Sequence, residues 1–290
     1  MKKLFLLVLT SFFLFSSISF AKEVKSFNEQ KEIVEKYLSE RNEIYFKFYI
    51  SSKDIIKKLA NEISIDNVKD NIINYEVIAY ANTNEMYKFK QYNIDFAVMT
   101  PPSLQFPVEM SDNINEITAW DVYPTYEAYV NMMNQFATTY PNLCRIVNAG
   151  TTIQGRAILF AVISDSVNFR KPKPRFQYSS SMHGDEIAAY PNMLRLIDTL
   201  LKGNGVVPNI TNLVKNVEIW INPLANPDGT YYGGNGTVTG ARRYNANNAD
   251  LNRSFPDFYG TPNYPVQVET QIMMNIFRQY NFTLSMNFHG

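Results

Sequence analysis

One cysteine, Cys144, occurs in the 290 residues, so no internal disulfide can form and the fold must rest on its core. Histidine is nearly as scarce: the chain has two, His183 and His289. Neither sign of charge is in excess, with 27 Lys and Arg against 27 Asp and Glu. That balance leaves no basic field of the kind nucleic acid binding requires. Beyond residue 21 no apolar run reaches membrane length. No cysteine stands directly after the N-terminal signal, which excludes a lipid anchor at that point.

What the chain does have is apolar mass, at 46% of residues, including 19 Tyr and 20 Phe. These read as core packing. The first residues read as a secretory signal, residues 1–21. Lys2 and Lys3 form the positive end, Leu4 to Phe15 the short apolar run, and Ser19-Phe20-Ala21 the small-residue cleavage site. The expected destination is secreted, periplasmic or at the cell surface, with no membrane contact after signal removal. Cys144, flanked by strand-like residues, is expected to be buried rather than reactive.

Residues 22–110 are expected to form a small α+β open-sandwich domain. A strand–helix–strand pattern covers residues 42–68, with strand 42–50, helix 52–60 and strand 63–68. The pattern recurs as strand 75–80, helix 84–91 and strand 94–99, with no histidine or cysteine in either half. Pro101, Pro102 and Pro107 mark a linker. A second domain, residues 116–290, then alternates strands and helices. Helices are expected at 126–138, at 186–201 with Pro191 inside it, and at 266–280. Strands are expected at 144–148, 157–164, 175–180, 217–222 and 283–288. That order predicts an α/β domain with a mixed, largely parallel sheet flanked by helices. Because such a domain rarely ends on a buried strand and a glycine, the sequence reads as a fragment.

Both histidines stand just past a predicted strand and before a glycine, in Met182-His183-Gly184 and Phe288-His289-Gly290. Parallel strands would bring both imidazoles to the carboxyl edge of the sheet, where open α/β sheets bind ligands. Glu186, at the expected start of the next helix, adds a carboxylate three residues after His183. Two imidazoles and one carboxylate suit a catalytic zinc ion, because they leave a position open. Taken singly, His-Gly-Asp-Glu also fits an ordinary turn and helix cap. Asn226-Pro-Asp-Gly229 leaves the same sheet edge and by itself reads as a turn. Arg242, Arg243 and Arg253 cluster in one loop, which reads either as a solvated basic loop or as an anion-binding group.

Together these segments resemble a known family. His183-Gly-Asp-Glu186, Asn226-Pro-Asp-Gly229, Asp250-Leu-Asn-Arg253-Ser-Phe-Pro and Asn287-Phe-His289-Gly occur in the order found in zinc metallocarboxypeptidases. The resemblance covers about residues 116–290, and Asp-Leu-Asn-Arg-x-Phe-Pro is closer to the regulatory N, E, D and M branch than to the pancreatic branch. It implies one zinc ion held by His183, Glu186 and His289. It implies that Arg243, with Arg242 as the weaker alternative, stabilises the oxyanion, and that Asn252 and Arg253 grip the substrate's terminal carboxylate. Asp250 would orient the first zinc histidine. The implied substrates are peptides or proteins with a free C-terminus.

The family's general-base glutamate, its capping tyrosine and its side-chain pocket lie after the third ligand, so they are expected beyond Gly290. Residues 22–110 occupy the place of the family's propeptide, and an inhibitory or a plain accessory role are both open. Alternative readings are a zinc amidase acting on peptidoglycan peptides, a non-catalytic peptide-binding homologue, and a purely structural domain that binds no zinc.

Overall fold

The computed structural model describes residues 24–256 and 264–289. The predicted signal, residues 1–21, lies outside them. The chain divides into two compact units, Met1–Pro101 and Pro102–Gly290. That boundary falls ahead of the expected 110–116 junction, because residues 102–111 are tied into the second unit. Ser103 Oγ donates to the Ala241 carbonyl at 2.7 Å. Met110–Ser111 pairs in parallel with Tyr123–Pro124.

In the first unit, four strands form one sheet: β1 (Ile44–Ile50), β2 (Ser64–Asp70), β3 (Tyr75–Ala81) and β4 (Phe96–Met99). Their order is β2-β3-β1-β4 and every pairing is antiparallel. The two strand–helix–strand halves therefore interlock. Within each half the strands run the same way, and a strand of the other half lies between them. Helices α1 (Phe27–Arg41), α2 (Lys53–Leu59) and α3 (Thr83–Lys90) accompany the sheet. Helix α1 lies outside the repeat seen in the sequence. It starts where the Ser26 amide donates to Glu29 Oε2 at 3.0 Å and ends at Asn42, in left-handed conformation at φ 52°. Val34 of α1 joins a core built round Phe46, Phe48, Phe89 and Phe96. The Phe46–Phe89 and Phe89–Phe96 rings meet edge-on, with centroids 4.9 Å and 5.6 Å apart.

The second unit is an α/β layer structure. Its sheet contains β5 (Cys144–Thr151), β6 (Ala157–Ile163), β7 (Arg175–Ser180), β8 (Glu218–Asn222) and β9 (Leu284–Phe288), in the order β9-β7-β8-β6-β5. Strands β9, β7 and β8 are parallel, and β6 and β5 close the sheet as an antiparallel hairpin. Strand β6 shows why helices must cover both faces. Leu159, Ala161 and Ile163 enter one core with Met132, Tyr190 and Leu194, whereas Ile158, Phe160 and Val162 enter another with Trp220, Ile272 and Ile276. The first core lies under α4 (Tyr126–Thr139) and α5 (Ala189–Gly203), and the second under α7 (Val268–Tyr280).

Helix α6 (Pro208–Asn216), missed in the sequence, links α5 to β8 and opens on a proline at its first position. Helix α5 starts at Ala189, not Glu186. Pro191 lacks an amide hydrogen, so it is accommodated in the first turn, and Glu186 remains on the preceding loop. Strand β9 is also not the buried strand expected. Among the described residues it pairs only with β7, and Leu284 and Met286 are exposed. No helix among the described residues is long and apolar enough to cross a membrane.

Candidate metal centre

Three parallel strands deliver their following loops to one edge of the second sheet. Ser179 of β7 is in register with both Asn222 of β8 and Asn287 of β9. The segments beginning Ser181-Met182-His183 and Pro223-Leu224 therefore leave beside His289.

The loop after β7 is held on several sides. Ser181 takes a left-handed turn at φ 53°. Its carbonyl accepts from the Asn226 amide at 3.0 Å, and its hydroxyl donates to the Glu186 carbonyl at 3.2 Å. Gly184 donates its amide to the Arg243 carbonyl at 3.2 Å. A methyl group on Gly184 would lie 2.4 Å from the Gly229 backbone and 2.5 Å from the Arg242 carbonyl, so only glycine fits. Asn226 caps the short turn that follows, accepting from the Gly229 amide at 3.0 Å. Asp228 is buried and clamps the β5–β6 turn. It accepts from Arg156 Nη1 at 3.0 Å and Thr152 Oγ1 at 2.8 Å. The Asn-Pro-Asp-Gly segment thus braces the His183 loop. Sequence reading missed that role, and the paired glycines at 184 and 229 were its one signal.

His183, Glu186 and His289 converge, with one nitrogen or carboxylate oxygen from each lying within 4.8 Å of the others. His183 Nδ1 is 2.9 Å from Glu186 Oε1. His289 Nδ1 is 3.0 Å from Glu186 Oε2 and 3.1 Å from His183 Nδ1. His183 is buried, Glu186 partly so, and His289 is exposed. Burial by itself would raise the Glu186 carboxyl. The hydrogen bonds and charges of His183 and His289 outweigh it and bring the group down to about 2. Burial likewise opposes a charged His183, but hydrogen bonds to Asp250 and Glu186 raise it above its ordinary value. Two imidazole nitrogens and an ionised carboxylate form a donor set of the type that holds zinc with a position left open. Each of these atoms points into the common space, so the residues fit the ion.

Asp250 is fully buried behind His183. Its Oδ1 lies 3.1 Å from His183 Nε2 and accepts from the Asn252 amide at 2.8 Å. Its Oδ2 is 3.5 Å from Arg243 Nε. One carboxylate thereby joins the histidine loop, Arg243 and the Asn252–Arg253 turn. Asn252 is exposed, and Arg253 is half-buried with Nη1 on the Asn252 carbonyl at 3.3 Å. Arg242 turns away into its own loop. Its guanidinium reaches Asn248 Oδ1 at 2.8 Å and the Asn245 carbonyl at 2.9 Å, and stacks 4.1 Å over Tyr232. Cys144 is buried at the start of β5, its thiol pushed up to about 12 by burial.

The sequence matches the zinc carboxypeptidase family over residues 129–290. The chain belongs to that family. Similar relatives are human carboxypeptidase D, 36% identical over 170 residues, and Mus musculus carboxypeptidase M, 33% identical over 177 residues. Each match covers 58% of this chain, but only 12% of carboxypeptidase D and 38% of carboxypeptidase M. Among solved structures, carboxypeptidase A from Helicoverpa armigera is similar at a TM-score of 0.59 and 19% identity, covering 86% of this chain and 70% of that one. Thrombin activatable fibrinolysis inhibitor is similar at 0.55 and 14%, covering 84% and 71%. At these identities the likeness is one of fold. The second unit holds residues 102–290, too few to fill 86% of the chain, so the likeness extends into the first unit.

Proposed function

We propose that this zinc carboxypeptidase family chain forms part of an exported carboxypeptidase that hydrolyses the C-terminal peptide bond of peptides or proteins. The observation that carries this reading is the convergence of His183, Glu186 and His289 beside a loop bearing Asn252 and Arg253. Both groups are tied to the same carboxylate, Asp250.

His183 Nδ1, the Glu186 carboxylate and His289 Nδ1 would hold one zinc ion. Zinc in that position supplies Lewis acidity toward the scissile carbonyl and lowers the pKa of the attacking water. Asp250 accepts a hydrogen bond from the Nε2–H of His183, leaving Nδ1 free to ligate. Arg243 meets the negative charge that develops on the carbonyl oxygen. A preorganised charge of this kind is worth about 3 kcal/mol of barrier. Arg253 pairs its planar fork with the substrate's terminal carboxylate, and the Asn252 amide group adds a donor. Gripping the free terminus limits cleavage to the last residue. Residues 1–21 would direct export, and residues 22–110 would act as a propeptide or accessory domain.

Metal analysis of the purified protein tests the centre. One zinc per chain is expected, and His183→Ala or Glu186→Ala should each abolish stoichiometric binding. Zinc retained at one equivalent in both variants would show that the ligand set is wrong. Cleavage of D-amino-acid or diaminopimelate peptides, with none of ordinary peptides, would replace the carboxypeptidase reading with an amidase one.

A further inference from the structure

Two side chains outside the scheme above stand behind the third ligand, His289: Asn287 contacts its ring and Ser179 contacts Asn287. Asn287 precedes it by two residues, so both side chains stand on one face at the end of β9. The Asn287 amide nitrogen is 3.1 Å from His289 Nε2. The other end of the amide, Oδ1, accepts from Ser179 Oγ at 2.9 Å. Ser179 is buried and sits directly opposite Asn287 in the parallel register of β7 and β9. A polar chain thus runs from the sheet interior through Ser179 and Asn287 to the outer nitrogen of His289.

The two nitrogens of that ring have separate tasks. Nδ1 faces Glu186 and His183, at 3.0 Å and 3.1 Å. An imidazole that offers its Nδ1 lone pair to a cation keeps its proton on Nε2, and that N–H needs an acceptor. As the amide stands, its NH2 group faces Nε2, which suits a ring whose proton is on Nδ1 and is donated to Glu186. A half-turn about the last side-chain bond brings Oδ1 to Nε2–H and the NH2 group to Ser179 Oγ. A hydroxyl both donates and accepts, so Ser179 satisfies the amide in either orientation.

We infer that Asn287, anchored by Ser179, is a positioning residue that fixes the ring of His289 with Nδ1 toward the metal. It does for His289 what Asp250 does for His183, with a neutral group that serves either tautomer. The inference rests on the zinc reading of the centre.

The test is the zinc affinity of the full chain, measured by competition with a chromophoric chelator. Asn287→Leu keeps the side-chain size but removes both polar ends, and should weaken affinity on the order of 10–100-fold. Asn287→Asp keeps the acceptor facing Nε2–H and should hold or tighten it. Ser179→Ala should give a loss smaller than that of Asn287→Leu. Unchanged affinity in Asn287→Leu, or equal losses in the Leu and Asp variants, would overturn the inference. If Asn287→Leu does not fold by circular dichroism, the other two variants decide. Affinity held in Asn287→Asp and lowered in Ser179→Ala supports the role, and any other pairing overturns it. Wild-type protein that binds no zinc, or His183→Ala protein that still binds it, would mean that the zinc reading itself has failed.

Discussion

Thr230 Oγ1 donates a hydrogen bond to the Gly184 carbonyl at 2.9 Å, joining the turn after β8 to the loop that carries His183 and Glu186. At the same contact Gly184 has backbone atoms 2.4–2.5 Å from where a Cβ would sit. Gly184→Ala should therefore force the two loops apart. The expected loss is about 1–3 kcal/mol of unfolding free energy, read by urea denaturation. Zinc binding should fall with it. A variant with unchanged stability and zinc content would show that the packing of these loops does not hold the centre.

Asp250 supports both His183 and the Asn252 turn through a single oxygen. Asp250→Asn keeps the shape but weakens the acceptor for His183 Nε2–H. Zinc affinity should drop on the order of 10–100-fold. Terminal-carboxylate recognition should weaken as well, since the Asn252 turn loses its charged cap. A chelator competition assay and peptide-binding titration check the two effects separately.

The metal-free centre has opposing pH dependences. The Glu186 carboxyl lies at about 2, below its ordinary value of 4.5. It contributes stability that is present above 4.5 and is lost as pH falls toward 2. His183 is raised above 6.5, so its contribution is present below 6.5 and is lost as pH rises through the raised value. A ligand must shed that proton, so apparent zinc affinity should weaken steadily as pH is lowered from about 8 to about 6. Affinity independent of pH across this range would contradict the raised histidine.

Arg253 is half-buried and within reach of solvent. Arg253→Ala should lower kcat/KM for peptides with a free terminal carboxylate by about 10–100-fold, the size of a charged hydrogen-bonded pair. Amidated peptides should be nearly unaffected. Equal losses on both substrates would remove Arg253 from carboxylate recognition.

Cys144, with its thiol pushed up to about 12, has a thiolate fraction of about one in ten thousand at pH 8. The native protein should resist thiol reagents and react fully once unfolded in denaturant. Rapid modification of the native chain would show that the start of β5 opens.

Much of the fold was legible because local pattern and tertiary role agree. The run Ala157–Ile163 is apolar at every position, as a strand covered on both faces requires. The repeat at residues 42–99 carried its own alternation. Helix α1 carries only a sparse apolar stripe, Val34, Tyr37 and Leu38, in a mostly charged segment outside the repeat, so the sequence pattern does not announce it. The start of α5 differs from the expected one because His-Gly-Asp-Glu reads as a helix cap, whereas the loop's bonds to residues 226, 230 and 243 and from Ser181 to the Glu186 carbonyl keep Glu186 off the helix.

The sequence by itself determined the donor types: two histidines, each at a strand end before a glycine, and one carboxylate three residues on. Their meeting was decided by the sheet, whose parallel register puts His183 beside His289 across 106 positions of chain. Tertiary structure likewise turned Arg242 into its own loop and set Arg243 against Asp250, gave Asn-Pro-Asp-Gly its bracing role and set Asn287 against Ser179. The reason is physical: composition and spacing fix which groups a chain offers, whereas hydrogen bonds between distant strands fix where those groups point.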